Sequence, residues 1–271
     1  MKRKSEYNLS EKTKKNLRGF CAAIFPKKAA SKNRRVIFLI MAWLIMVDRL
    51  IESRRVSMPE IRRFQKYIND ILSSKKEIAN IPKSFRSPAA LIQKINNLLS
   101  AHSPHPKIRK EWALSINRCL RAMVVERGYT ARKMPTLKAY LRNGTHSIGA
   151  EIILYAVVIL FRPKIAFLNH RLSGIMKSAI KQSSLIFRLI NDLGSSRREQ
   201  KEQKISSISI VKSKLGSEDA TKNFINSRIK QYFHQYKKMT KNIPLPLRPS
   251  FNAHLRLLNF AMRAHKINDY E

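Results

Sequence analysis

Residues 191–199 read Asn191-Asp192-Leu193-Gly194-Ser195-Ser196-Arg197-Arg198-Glu199 and follow a long apolar-periodic stretch that starts at Ile165. Asn191, Ser195 and Glu199 stand at i, i+4 and i+8. On a helix their side chains fan over roughly 80° and rise about 12 Å. An amide oxygen, a hydroxyl and a carboxylate then share one face. These are three hard oxygen donors of the kind Mg2+ takes while it keeps waters and substrate phosphates in its shell. The plainer alternative is a polar helix end at which Asn191 and Asp192 break the helix. That alternative leaves the alignment of three oxygen donors behind an apolar helix unexplained.

A second place collects acids in a chain short of them. It reads Trp43-Leu44-Ile45-Met46-Val47-Asp48-Arg49-Leu50-Ile51-Glu52. Asp48 and Glu52 are four residues apart and share a helix face. They end an apolar run, Val36 to Val47, where a solvated charge pair is not expected. The alternative is a helix leaving the core, with Glu52 paired to Arg49 or Arg55.

Outward from these two stretches, nearly every long segment repeats its apolar residues at three and four, which predicts helices. They are expected at 36–54, 58–73, 88–101, 110–128, 136–142, 147–161, from 165 through 191 and beyond, 217–238 and 248–267. Pro and polar clusters punctuate them at 102–106, 134–135, 162–163 and 243–249. Ser57 ahead of Pro59-Glu60 and Ser217 ahead of Glu218-Asp219 are N-cap signals. The class is all-α, with about nine or ten helices and neither an internal repeat nor a Gly-rich phosphate loop.

The chain has 271 residues, with 55 Lys and Arg against 17 Asp and Glu, a net charge of +38. Such a charge first suggests nucleic acid. Residues 1–35 carry twelve Lys and Arg against two acids, and the rest of the chain is basic too. A dedicated nucleic-acid surface is usually a stripe on a balanced domain, so this spread argues against a specific nucleic-acid partner. No RNP-type aromatic motif or zinc-type Cys/His spacing occurs. A hydrophobic fraction of 44% excludes a disordered basic tail as the whole chain. Cys21 and Cys119 make no disulfide framework, so a reducing, cytoplasmic setting is expected. The run at 36–47 is short of the roughly 20 residues a transmembrane helix needs. It also starts late for a signal peptide.

Taken together, these segments resemble class I terpene synthases. Residues 191–199 look like the family's second metal motif, N-D-x-x-S-x-x-x-E. Asp48-Arg49-Leu50-Ile51-Glu52 looks like a departed form of its aspartate-rich first motif, 143 residues upstream. Between them, Pro135-Thr136-Leu137 with Tyr140-Leu141 and Ser147-Ile148-Gly149 resembles the P-T-L-x-x-Y-L…S-I-G stretch that kinks a helix beside the substrate diphosphate. Phe187-Arg188-Leu189-Ile190-Asn191 resembles the R-L-x-N-D entry to the second motif. Asn259 to His265 with Asp269-Tyr270 resembles the N-L-A-R…D-G-Y end of plant-type members. Arg198-Glu199 through Lys204 to Ile210 is similar to the R-E…G-K-L-N-A-V-S-L run of the ent-kaurene synthase branch. Gln203 stands for that branch's Gly and Ser206 for its Asn.

The resemblance implies a basic N-terminal segment at 1–35 and an all-α terpene synthase domain at 36–271 around a deep apolar pocket. It implies Mg2+ held by Asp48 and Glu52 from one side and by Asn191, Ser195 and Glu199 from the other. Arg142, Arg188 and Lys204 are the expected diphosphate contacts, Arg142 and Arg188 counted as catalytic. Trp112, Tyr140 and Tyr155 are candidate aromatic walls. The implied substrate is a prenyl diphosphate, of the copalyl type for a diterpene synthase. A sesquiterpene synthase using farnesyl diphosphate, a degenerate non-catalytic relative and a basic module for nucleic acid or membrane surfaces are the alternatives. Arg49 departs from the first motif's second Asp, and a cation there repels divalent metal.

Overall fold

The computed structural model describes residues 9–26, 31–53, 56–73, 81–102, 106–161, 170–241 and 243–264, and among these it holds helices and no strands. The α-helices are α1 (Glu11–Ile24), α2 (Ser31–Glu52), α3 (Met58–Leu72), α4 (Arg86–Ser100), α5 (Pro106–Arg127) and α6 (Leu137–Ser147). They continue with α7 (Ala150–Leu160), α8 (His170–Lys201), α9 (Ser207–Leu215), α10 (Glu218–Thr240) and α11 (Arg248–Ala264). The expected stretch at 165–169 and the tail residues His265, Asp269 and Tyr270 lie outside the described residues, as does Arg55.

α7 is buried on nearly every side and serves as the central post, with α2, α5, α8 and α11 packed around it. α8 packs on α10, α6 and α11, and α2 packs on α4 and α1. Trp43, fully buried, donates its indole N–H to the Pro88 carbonyl at 3.0 Å and fixes α2 against the first turn of α4. The predicted caps form. Ser57 and Glu60 make a reciprocal capping box, and Ser217 accepts from the Ala220 N–H. Two helices escaped the apolar pattern. α1 buries only Leu17, Cys21 and Ile24, a narrow i, i+4, i+7 stripe in a basic segment. It docks on α11, where Arg256 donates to the Ala23 and Ile24 carbonyls. α9 is nine residues long, too short for a clear period.

The helix break expected before Ser147 falls slightly later. α6 runs to Ser147, and Gly149 turns the chain in the left-handed conformation (φ 69°) before α7 begins. A Cβ on Gly149 would stand 2.5 Å from Leu44 Cδ2, so glycine is needed both for the conformation and for the approach of α2. The stretch Leu137–Leu160 is long and apolar enough to cross a membrane by length and composition, yet it is mostly buried among the other helices. Trp112, Tyr140 and Tyr155, the candidate aromatic walls, are buried.

The break considered at Asn191 and Asp192 does not occur, and α8 continues to Lys201. The Asp192 side chain is wholly buried and bonds groups on other helices rather than its own backbone. The usual helix-breaking competition from an Asp is therefore absent.

Candidate active site

α8 places the second motif as its period predicts. Ser195 Oγ lies 2.6 Å from Glu199 Oε1, joining two of the motif's side-chain donors on one face, and 2.6 Å from the backbone carbonyl of Asn191 one turn earlier. Asn191 is exposed, Ser195 half-buried and Glu199 only 8% exposed. Glu199 Oε2 is buried with no hydrogen-bond partner. Burial pushes the Glu199 carboxyl up, the Asp192 charge adds to this, and Ser195 and Arg188 pull the other way. A buried carboxylate oxygen left unpaired, beside a hydroxyl and an exposed amide, is a donor set that fits a hard divalent cation.

The first motif ends α2. Asp48 keeps open surface toward solvent, yet surrounding protein pushes its carboxyl up to about 7. Desolvation is the largest cause and the Glu52 charge the second. Two neighbouring acids of this kind create a local demand for positive charge. Glu52 meets that demand from outside its own helix. Its Oε2 takes the Lys204 ammonium at 2.7 Å, and the same ammonium lies 2.7 Å from Glu202 Oε2. Lys204 thus ties the turn after α8 to the end of α2.

The turn that delivers Lys204 has a specific construction. α8 ends with the Lys204 N–H on the Glu199 carbonyl (2.9 Å) and the Gln203 N–H on the Gln200 carbonyl (3.2 Å), with Gln203 left-handed at φ 53°. This is a Schellman stop, whose left-handed position usually belongs to glycine.

Nearby sits a buried ionic hub. Arg188 is 8% exposed. Its Nη1 donates to Glu126 Oε2 at 3.0 Å and to Ser147 Oγ at 3.3 Å, and its Nη2 donates to the Tyr140 hydroxyl. Its Nε lies 3.0 Å from Asp192 Oδ1 without the alignment of a hydrogen bond. Burial opposes the guanidinium charge, but Asp192, Glu126 and Glu199 outweigh it, so the group is held charged more firmly than usual. Tyr140 donates to both Asp192 oxygens at 3.1 Å, and the Ser207 N–H at the start of α9 donates to Oδ2 at 3.0 Å. Gly144 leaves room for the Arg188 stem, since a Cβ there would stand 2.9 Å from Arg188 Cγ.

The structure therefore joins Lys204 to Glu52 directly, sets Asp48 within electrostatic reach of Glu52, Lys204 and Arg188, and sets Arg188 within reach of Glu199 on the Asn191–Ser195–Glu199 face. Arg142 stands exposed on α6, its charge felt at Tyr129 beside those of Glu126 and Arg188. The sequence assigns no role to two members of the hub. Glu126 is an acid at the end of an amphipathic helix in an acid-poor chain, the same signal that marked Asp48 and Glu52. Asp192 reads in the sequence as a potential helix breaker and as the second letter of the N-D-x-x-S-x-x-x-E pattern, with nothing to assign it a partner. Among the described residues no group of three or more His, Cys, Asp or Glu side chains is placed to hold a metal ion together.

Residues 39–235 match the family model described as terpene synthase family 2, C-terminal metal binding. The chain belongs to this terpene synthase family. Every residue from Asp48 to Lys204 named above lies inside the match. An (E)-nerolidol synthase from Cannabis sativa is 24% identical over 199 residues, 64% of this chain and 35% of that protein. An alpha-thujene synthase, chloroplastic, from Litsea cubeba is 32% identical over 164 residues, 58% of this chain and 27% of that protein. The chain thus spans about a third of the length of the curated relatives it matches. Isoprene synthase from grey poplar leaves (Populus x canescens), solved with three Mg2+ ions and dimethylallyl-S-thiolodiphosphate, superposes with a TM-score of 0.75 at 15% identity, over 92% of this chain and 48% of that one. Abietadiene synthase from Abies grandis superposes with a TM-score of 0.69 at 14% identity, over 94% and 34%. The all-α class is that of the terpene synthase α-domain.

Proposed function

We propose that this chain is the catalytic domain of a class I terpene synthase that ionises a prenyl diphosphate with Mg2+ and cyclises the resulting carbocation. The observation that supports this is the 2.7 Å contact of Lys204 with Glu52, which ties the first motif at the end of α2 to the turn that follows the second motif on α8. Asp48 and Glu52 would hold metal from α2, and Asn191, Ser195 and Glu199 would hold it from α8. Bound there, the metal supplies positive charge for the oxygens of the leaving diphosphate.

The remaining work falls to the chain's own side chains. Arg142, Arg188 and Lys204 orient the diphosphate and neutralise its growing charge, the arginines through forks suited to phosphate oxygens. The allylic C–O bond breaks, its electron pair leaves with the diphosphate, and the cation remains among apolar helices that exclude water. No protein nucleophile takes part. The excess of basic groups helps draw a polyanionic substrate to the site.

Within that class we favour a diterpene synthase of the ent-kaurene type acting on a copalyl-type diphosphate. The support is the run from Arg198 to Ile210 and the left-handed Gln203 at that run's glycine position. The setting proposed is the cytoplasm, where the buried thiols of Cys21 and Cys119 stay reduced. A non-catalytic relative is the second reading, favoured by Arg49 beside Asp48. Purified full-length chain with Mg2+ and copalyl, geranylgeranyl or farnesyl diphosphate, read by gas chromatography, separates these. Hydrocarbon from copalyl diphosphate is expected. Product only from farnesyl diphosphate replaces the diterpene assignment with a sesquiterpene one. No product from any substrate, with the fold intact by circular dichroism, overturns the enzyme reading.

A further inference from the structure

Arg188 lies on the donors' own face of α8. At 100° per residue, Asn191, Ser195 and Glu199 stand about 60° and 20° to one side and 20° to the other of the Arg188 direction. Its long side chain has several rotamers, so a shared face does not decide where the guanidinium sits. Two contacts do. The stem is wedged over Gly144, where even a methyl group would collide. The head is held by Glu126, which reaches it from α5, 62 residues away in sequence.

Glu126 is itself held in place. Its Oε1 accepts from Ser147 Oγ at 2.6 Å and from Asn143 Nδ2 at 3.3 Å. Asn143 Nδ2 also donates to the Ala122 carbonyl at 2.9 Å, one turn back on α5. Glu126 therefore locks α5 to α6 with one oxygen and fixes Arg188 with the other. Neutralisation alone does not require it, since Asp192 already lies 3.0 Å from Arg188 Nε.

We propose that Glu126 is a positioning residue for the diphosphate end of the site, holding the Arg188 guanidinium under the Asn191, Ser195 and Glu199 face. The inference rests on the terpene synthase reading above and extends it to a residue outside both metal motifs. It makes a prediction with an unusual sign. Removing a negative group near an anion site tightens anion binding on charge alone. A positioning role demands the reverse.

The test is titration calorimetry of the full-length chain with inorganic pyrophosphate at saturating Mn2+, with thermal melts by circular dichroism. The proteins are wild type, Glu126→Gln, Arg188→Lys, the double variant, and Glu11→Gln as a charge-matched control on exposed α1. Glu126→Gln is expected to weaken pyrophosphate binding about tenfold, the loss typical of a charge-assisted hydrogen bond. The effect is expected to vanish in the Arg188→Lys background, because the two residues then no longer act through one guanidinium. Glu11→Gln is expected to bind as wild type. A folded Glu126→Gln chain that binds as well as wild type or better overturns the proposal, as does an equal loss in the Arg188→Lys background. If Glu126→Gln does not fold, Ser147→Ala removes the 2.6 Å anchor while leaving the acid, and a several-fold weakening is expected; unchanged affinity overturns the role. A wild-type chain that binds no pyrophosphate overturns the functional reading together with this one, whereas wild-type binding with unaffected variants overturns this one alone.

Discussion

Lys204 Nζ and Glu52 Oε2, 152 residues apart in sequence, meet at 2.7 Å between the turn after α8 and the end of α2. The pair is partly exposed, with Lys204 at 35% and Glu52 at 42% of their side-chain surface. Pairs of this kind contribute about 0–1 kcal/mol to folding. The contact therefore matters less for holding the bundle together than for what it brings to the proposed site.

Lys204→Met is expected to leave the melting temperature nearly unchanged, in line with a contribution below about 1 kcal/mol. It is expected to lower kcat/KM for prenyl diphosphate by roughly tenfold or more, because a charged donor to the leaving group is lost. Melts by circular dichroism and steady-state kinetics on the same preparations check both halves. A large drop in melting temperature with intact kcat/KM would make the lysine a structural tie only.

Glu199→Gln replaces the one carboxylate among the second motif's three proposed metal donors by an amide of nearly the same shape. Its side-chain oxygen can still accept from Ser195, so the fold is expected to persist. Turnover is expected to fall by about a hundredfold, since a hard cation loses an anionic ligand. Asn191→Ala is expected to act in the same direction. Mg2+ titrations of activity check this, and unchanged Mg2+ dependence in both variants would place the metal elsewhere.

Arg49→Asp removes a cation next to Asp48 and restores an acid at the first motif's second position. Coulombic repulsion of a divalent ion is relieved and attraction added. Mn2+ affinity, measured by electron paramagnetic resonance on the chain without substrate, is expected to rise by several-fold. Weaker Mn2+ binding would show that the arginine supports the metal site rather than opposing it.

Gln203 stands at φ 53° in a turn whose two stop bonds are both formed. A non-glycine residue in the left-handed region costs about 1 kcal/mol or more. Gln203→Gly is expected to stabilise the chain by about 1 kcal/mol, less whatever the unfolded chain gains in freedom. Denaturant melts check the sign. Destabilisation would mean that the glutamine side chain makes a compensating contact.

The helical class, most helix ends and the donor face of residues 191–199 were legible because each depends on local periodicity. An i, i+4, i+8 spacing sets a face whatever the rest of the chain does, and Ser195 on Glu199 at 2.6 Å follows from it directly. The caps at Ser57 and Ser217 were legible for the same reason. The short α9 and the weakly apolar α1 were not, because their helicity comes from packing more than from pattern.

The site's wiring lay beyond that reach. Nothing local tells Asp192 that it will be buried against Arg188, Tyr140 and the start of α9, or tells Glu126 that it will hold an arginine from another helix. The sequence by itself determined which residue types share each helix face, since that is geometry within about two turns of backbone. Only the tertiary structure decided that Glu52 finds Lys204 and that Arg188 lies between Glu126 and Asp192. Those pairings depend on which helices pack side by side, and buried charges settle wherever that packing supplies a counter-charge.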